Sequence, residues 1–490
     1  MSLTAALTTA QSSLKTVAGQ TAVVSRNVAG AGEAGYTRKT AVAVTGADGG
    51  LRAINVGRTT DRALYERVLQ ATSKAAGGAA LAEALERLQS SLGTDYARSP
   101  SVALGALQQS LHSFAAAPGD LSLAQSVLSQ AQTVVATLHE GSAAAQALRA
   151  DADAEMAASV DRVNGILTKF QSVNAAIVNG TIAGTDVTAL MDTRDGMIAE
   201  LAAEIGITVV GRGNNDVALY TESGATLFET LPRTVSFVAT HTFGAGTAGN
   251  AVYVDGVPVT GGGATAVGSG RISGLAAVRD EVAVGYQAGL DEIARGLIEA
   301  FAEADLSADP TLPDRPGLFT WPGEPAMPAG GTLHPGLAAA ITINANADPA
   351  QGGDLARLRD GGISDPGNPA YVSNVDGGAG FSGRIEALLD QLTAARDFDP
   401  GAGGGGTAGL LSFASGSIGR LEAARQGASA DGAYQTAFLE RVSEAFANAT
   451  GVNLDDEMAE MLRLERSYQA SAKLIAAIDA MLAMLLDATG

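Results

Sequence analysis

Cysteine is absent from the 490 residues. That excludes disulfides, thiol nucleophiles and cysteine-ligated zinc, and it suits a chain that travels unfolded. Aromatic residues make up only 4%, so the cores have to be built from alanine, leucine, valine and isoleucine, as in long helices packed at close range. Basic side chains are few: 31 Lys+Arg against 52 Asp+Glu leave a formal charge of −21. Such a chain repels phosphate backbones and anionic membrane surfaces, which argues against nucleic-acid and membrane partners. Long apolar runs are missing as well. The most apolar one, Leu474 to Leu486, contains Asp479 and falls short of the roughly 20 residues that span a bilayer. No basic side chain precedes Lys15, and no Sec-type signal peptide is expected.

Catalytic constellations are scarce too. His112, His139, His241 and His334 stand apart in sequence without metal-ligand spacing, so no metal or cofactor is expected. Asp192 and Asp195 lie one turn apart with Arg194 between them, and paired carboxylates can do acid–base work. A solvated helix face with capping and packing contacts accounts for them more simply. The stretch Gly268-Ser269-Gly270-Arg271-Ile272-Ser273-Gly274 is a loose dinucleotide-type glycine loop, but no second βαβ half follows it. Exit from strand into helix explains those glycines, and no enzyme is expected. Two triplets, Asn179-Gly180-Thr181 and Asn448-Ala449-Thr450, match a glycosylation pattern that arises by chance in a chain of this length.

What the chain does have is a pair of apolar stripes at its two ends. The segment from Gly451 to Gly490 reads as one helix, with Asn453 as N-cap and Asp455, Asp456 and Glu457 in its first turn, where the helix dipole favours acids. Met458, Met461, Leu462, Leu474, Ile475, Ile478, Met481, Leu482 and Leu485 recur along it at helical spacing. At the other end Leu3, Leu7, Ala10, Leu14, Val17, Thr21, Val24 and Val28 fall on alternating steps of four and three, a heptad seam. The two are expected to pair as a coiled coil. An ordinary intramolecular pair would bury one face of each helix, whereas the last helix is apolar over about half its circumference near Leu474–Leu486. Neighbouring copies are therefore expected to cover the rest, with Ile478 and Leu482 driving assembly.

Between the ends the composition changes by blocks. A short hairpin is expected over Thr40–Val44 and Leu51–Val56 with a turn at Gly46–Gly50. Five helices follow: Asp61–Ala76, Leu81–Leu92, Ser99–Ala116, Leu121–Asn179 and Asp186–Glu204, the last capped by Thr185. Short β-type runs punctuated by Gly, Asn and Asp fill 206–270. Helix returns at Leu275–Ala304, and irregular Pro/Gly-rich sequence then leads to a strand-like Ala340–Asn344. Two more helices are expected near Phe381–Ala395 and Ser412–Ala449. The fold class is thus mainly α with a β insertion: an elongated multidomain rod. Its division would be a terminal coiled-coil assembly domain (1–59 and 450–490), a central mostly helical domain (60–205 and 271–449) and a small outer β domain (206–270).

The ends also carry motifs. Gly35-Tyr36-Thr37-Arg38 follows Asn27, and the closing helix opens Gly451-Val452-Asn453-Leu454-Asp455-Asp456-Glu457-Met458 and continues Arg466-Ser467-Tyr468-Gln469. These segments resemble the axial proteins of the bacterial flagellum, although the turn after Asn27 lacks the second Asn and the Pro usual before Gly-Tyr. The interior helix Ala189-Leu190-Met191-Asp192-Thr193-Arg194-Asp195 and the segment from Gly270 to Asp280 are similar to the hook-associated members of that family, with Met191 where Leu is usual. The resemblance implies a structural, non-catalytic protein at the extracellular hook–filament junction, exported without a cleaved signal peptide. It implies as partners copies of itself in a ring, the hook protein, the second hook-associated protein and an export chaperone on the C-terminal segment. The unpartnered apolar face implies termini without order in the free chain. The alternatives are another axial protein, such as a hook or rod component or the second hook-associated protein, and a nucleotide-dependent enzyme using the Gly268 loop.

Overall fold

The computed structural model describes residues 3–33, 35–45, 51–93 and 96–487; the expected turn at Gly46–Gly50 lies outside them. Helix α1 (Leu3–Gly30) leads into the antiparallel hairpin β1 (Lys39–Thr45) and β2 (Leu51–Arg58). Then come α2 (Arg62–Ser91), α3 (Pro100–Ala116), α4 (Leu121–Ala183) and α5 (Thr188–Glu204). The insertion holds two small antiparallel sheets. One is β3 (Ile207–Gly211), β4 (Val217–Thr221) and β5 (Thr226–Phe228); the other is β6 (Val235–Ser236), β7 (Tyr253–Val254) and β8 (Val257–Pro258). The chain returns through α6 (Arg271–Ala277), a π turn at Val278–Val282 and α7 (Ala283–Ala300). The irregular return contains β9 (Phe319–Thr320), α8 (Leu337–Ala340), β10 (Thr342–Ile343), α9 (Arg357–Asp360), α10 (Gly383–Thr393), β11 (Arg396–Phe398) and β12 (Gly406–Ala408). The long helices α11 (Leu410–Thr450) and α12 (Leu454–Asp487) close the chain.

The long axis is set by α4, whose 63 residues extend ~95 Å at 1.5 Å per residue. Asp120 caps its start and Gly184 ends it in the left-handed conformation. A buried stripe from Val127 and Leu128 through Leu138, Met156, Val163 and Phe170 to Ile177 runs nearly its full length at three- and four-residue steps. Against it pack α3, α5, α6 and α7. Helix α7 is almost wholly enclosed, and the Glu292 and Arg295 within it survive burial because they pair at 2.8 Å. Another enclosed pair, Arg279 with Asp153 at 2.6 Å, ties the π turn to α4. The molecule is an elongated, mainly helical rod with β insertions.

Several local expectations need correction. The two helices expected over 61–92 are one, α2, running straight through Gly77 and Gly78. Mid-helix glycine costs about 0.5–1 kcal/mol, but here it lets neighbouring backbones approach: Gly274 of α6 lies against Gly77, and Gly432 of α11 against Gly78. Helix α5 starts after Val187, and the carboxylate of Asp186, one residue earlier, accepts from the Thr188 amide at 3.0 Å, while the Thr185 hydroxyl turns back to the Gly180 carbonyl. Those Thr188 bonds, with Arg26 at 2.8 Å, hold the Asp186 carboxyl below its usual range despite the opposing effect of burial. The described terminal segments, Leu3–Gly30 and Leu454–Asp487, are helical and pack against each other. By length and composition alone the C-terminal helical stretch is apolar enough to cross a membrane, which the thirteen-residue count over Leu474–Leu486 understates.

Candidate assembly surface and the joint that holds it

Helices α1 and α12 pack antiparallel, with the Ser13 and Ser471 hydroxyls 3.3 Å apart and Asn27 meeting Glu457 at 3.0 Å. Val17 and Val24 are buried against Leu464, with Met461 beside them. Ala10 is buried too, and Leu3, Leu7 and Leu14 are half-buried along the same seam. On α12 the seam takes Ile478, which is buried, and Ile475 and Leu482, which are half-buried. Leu464, the centre of the pair, had no place in the expected stripe. It lies in the gap between Leu462 and Leu474, where polar residues dilute the periodicity.

The remaining apolar side chains of α12 are on another face and remain exposed. Met458, Leu462, Leu474 and Met481 are each about half exposed, and Met484 is 64% exposed. Leu454 and Leu485 are also exposed. Ile478 and Leu482 therefore serve the seam within the chain, and the outward surface belongs to Leu474, Met481 and Met484. Ranged along one helix, these side chains form an exposed apolar face.

Where α1 ends and α12 begins, the expected motif residues converge. Gly35 has φ +79°, a conformation that only glycine adopts cheaply, and this turns the chain so that Tyr36 comes back over the end of α1. The Tyr36 hydroxyl donates to Asn27 Oδ1 at 3.1 Å, and burial pushes its pKa up. Asn27 Nδ2 donates to Glu457 Oε2 at 3.0 Å and to the Lys39 carbonyl at 2.8 Å. Arg38 Nε donates to Glu457 Oε1 at 2.6 Å, and its amide donates to the Thr450 carbonyl at 2.8 Å. Glu457, expected to serve the helix dipole, is instead 1% exposed and fully engaged. Asn453 is the cap foreseen, accepting from the Asp455 amide at 3.0 Å, with Leu454 opening the helix.

The same joint contains the interior motif. Asp192 accepts from the Thr37 hydroxyl at 2.6 Å, from Arg58 at 3.2 Å and from Lys39 Nζ. Asp195 pairs with Arg58 at 2.6 Å. These carboxylates are not a solvated face: the Asp192 side chain is only 13% exposed, and the Lys39 ammonium beside it is buried. Arg194, also buried, points the other way, to the Asn215 carbonyl and to Asn174 at 3.3 Å. Burial lowers its pKa, and burial raises that of Tyr65 well above the ordinary phenol value, so Tyr65 stays a donor to the Asp195 carbonyl at 2.8 Å. Lys39 and Arg58 had drawn no attention in the sequence. Each lies more than a hundred residues from its carboxylate, and no periodicity connects them.

Elsewhere the scarcity of chemistry has structural explanations. In the glycine loop, the Gly270 amide donates to the Ser73 carbonyl at 2.9 Å and the Gly268 amide to Glu222. Those donors face protein, not an open phosphate site. A Cβ on Gly274 would collide with the Gly77 carbonyl oxygen. Gly274→Ala is thus expected to lower stability by about 1–3 kcal/mol, read as a drop in the thermal unfolding midpoint. His139 contacts the Ile341 carbonyl at 2.9 Å, His334 accepts from the Ala329 amide at 3.1 Å, and His112 and His241 are exposed. Among the described residues no group of His, Asp and Glu is arranged to hold a metal.

Residues 85–307 match the family model of the flagellar hook-associated protein FlgK helical domain, which spans α3–α7 with the insertion. Residues 444–488 match the model of the flagellar basal body rod FlgEFG protein C-terminal region, at the end of α11 and all of α12. No curated protein matches the sequence. Among solved structures, the flagellar hook junction protein FlgK from Burkholderia pseudomallei shares the fold, with a TM-score of 0.57 at 13% identity over 78% of this chain and 99% of that one. Paired terminal helices, a helical rod and an outward apolar face define a structural component of the bacterial flagellar axis. The two family matches support a hook-associated protein of the FlgK type.

Proposed function

We propose that the chain joins hook to filament outside the cell, by packing the exposed face of α12 against identical neighbours in a ring. The observation that carries this reading is the split of α12: one edge seals against α1, while Met458, Leu462, Leu474, Met481 and Met484 remain open. In this reading the chain divides as expected from the sequence. The terminal segments 1–59 and 450–490 form the inner assembly unit, 60–205 with 271–449 the next shell, and 206–270 the outer insertion. The hook protein and the second hook-associated protein are its axial neighbours. Export by the flagellar type III apparatus, without a cleaved signal peptide, is compatible with a chain lacking cysteine. Before assembly the apolar face needs a cover, and an export chaperone on the C-terminal segment would provide it.

Immunogold labelling of isolated flagella tests the location. Label confined to the boundary between hook and filament supports the reading, and label spread along the hook or at the basal rod replaces it with another axial role. An activity using nucleotides at the Gly268 loop is the competing class. A thermal-shift screen with ATP and NAD is expected to show no stabilisation, since the Gly268 and Gly270 amides already have protein acceptors.

A further inference from the structure

We infer that Asn27 and Glu457 set the register of the α1–α12 pair, acting as positioning residues for the assembly surface, and that the apolar seam does not. The seam by itself is permissive. On α1 it mixes leucine, valine, alanine and Thr21 at heptad spacing. On α12, Ser467 and Ser471, both half-buried, separate the Met461–Leu464 contact from Ile475 and Ile478. A slide of seven residues exchanges aliphatic contacts at Leu464 for a serine contact at Ser471 or the reverse, a loss of one aliphatic side chain's burial, which is smaller than the cost at the polar end.

The polar end is different. Asn27 and Glu457 are each 1% exposed. Asn27 Oδ1 accepts from the Tyr36 hydroxyl at 3.1 Å and the Lys39 amide at 2.9 Å, while its Nδ2 donates to Glu457 and the Lys39 carbonyl. Both Glu457 oxygens are in use, one by Asn27 and one by Arg38. The partners Arg38 and Lys39 are held in place from outside the coiled coil, by the Thr450 carbonyl, Thr37 and Asp192, and the Lys39 ammonium lies over the Tyr36 ring. A slipped pair would strand the buried Glu457 carboxylate, which loses both Asn27 and Arg38, and cost Asn27 one of its four bonds, far costlier than any difference among slipped apolar contacts. A single buried polar contact is a known means of specifying coiled-coil register. Because the joint also anchors to α5 through Asp192, it dictates where Leu474 and Met481 are presented relative to the rest of the rod. The register does not depend on the assembly reading; the consequence for presenting those two residues does.

The absence of cysteine allows a direct test in the full chain. Three double variants each place one possible disulfide: Ser13→Cys/Ser471→Cys in the observed register, and Ala6→Cys/Ser471→Cys and Gln20→Cys/Ser471→Cys for slips of one heptad either way. Under mild oxidation the first is expected to close about tenfold faster than the other two, reflecting its higher effective concentration. Adding Asn27→Leu and Glu457→Leu is expected to bring at least one slipped pair up to the rate of the first. An unchanged preference in that background overturns the inference, as does loss of all three cross-links, which would show that the polar end holds the helices together rather than in register. Glu457→Gln, which keeps the bond to Asn27, is expected to retain the original preference; equal rates for all three pairs there would also overturn it. Failure of any variant to enter flagella, with the cross-linking pattern as expected, bears on assembly alone.

Discussion

Leu474→Asp combined with Met481→Asp is expected to abolish incorporation into flagella while the free chain keeps its fold. Both side chains are about half exposed on α12 and contribute nothing to the α1 seam, so the monomer loses little by the change. In the assembly each would have to carry a charge into an apolar contact. Fully burying a leucine or methionine side chain is worth roughly 1.5–3 kcal/mol, and an unpaired buried carboxylate costs more than that gain. A subunit packed among several neighbours incurs the loss at each contact. The measurement is the fraction of chain in sedimented flagella against that free in the medium, with circular dichroism of the purified monomer as the check on folding. Ile182→Asp, a change at an exposed apolar position on α4, is expected to leave incorporation unaltered. The contrasting pair Ile478→Asp with Leu482→Asp faces α1 and is expected to separate the terminal helices as well as stop assembly. Normal flagella from the Leu474/Met481 variant would remove the assembly role from this face.

Asp192→Ala is expected to destabilise the joint by about 3–5 kcal/mol, the usual cost of removing one partner from a buried ion pair. The substitution strands the Lys39 ammonium, which is buried, and removes one of the two carboxylates that hold Arg58. Amide exchange in β1 and β2 should accelerate, while protection of α7 and of α4 away from its end near Asn174 should persist. Replacing the pair together, Asp192→Leu with Lys39→Met, is expected to recover most of the loss, since the buried charge disappears with its partner. Protection of β1 unchanged in Asp192→Ala would mean that Thr37 and Arg58 hold the joint without the carboxylate.

Much of the molecule was legible before any coordinates. Helical spacing located α3, α4 and α11 to within a few residues because each buries a continuous stripe, and a stripe is a local property of the chain. Heptads at Leu3–Val28 and apolar steps after Met458 announced the terminal pair for the same reason. The short strands of the insertion were visible as clusters of β-branched residues between glycines, though their grouping into two three-stranded sheets was not. Gly77 and Gly78 misled, because a glycine pair interrupts a helix in water but serves one where another backbone must come close.

Sequence by itself determined a cysteine-free, acidic, mainly helical chain with more apolar side chain at the C-terminus than one partner helix can cover, and its end motifs carried the resemblance to flagellar axial proteins. Only the tertiary structure decided how that excess is divided, because which edge of α12 meets α1 depends on a rotation that periodicity does not specify. It also turned Asp192 from a surface acid into the counter-ion of Lys39, and Glu457 from a helix-start charge into a buried acceptor. The physical reason is the same in both cases. A buried polar contact is made between residues more than a hundred positions apart, and its strength comes from the exclusion of water, which exists only once the chain is folded.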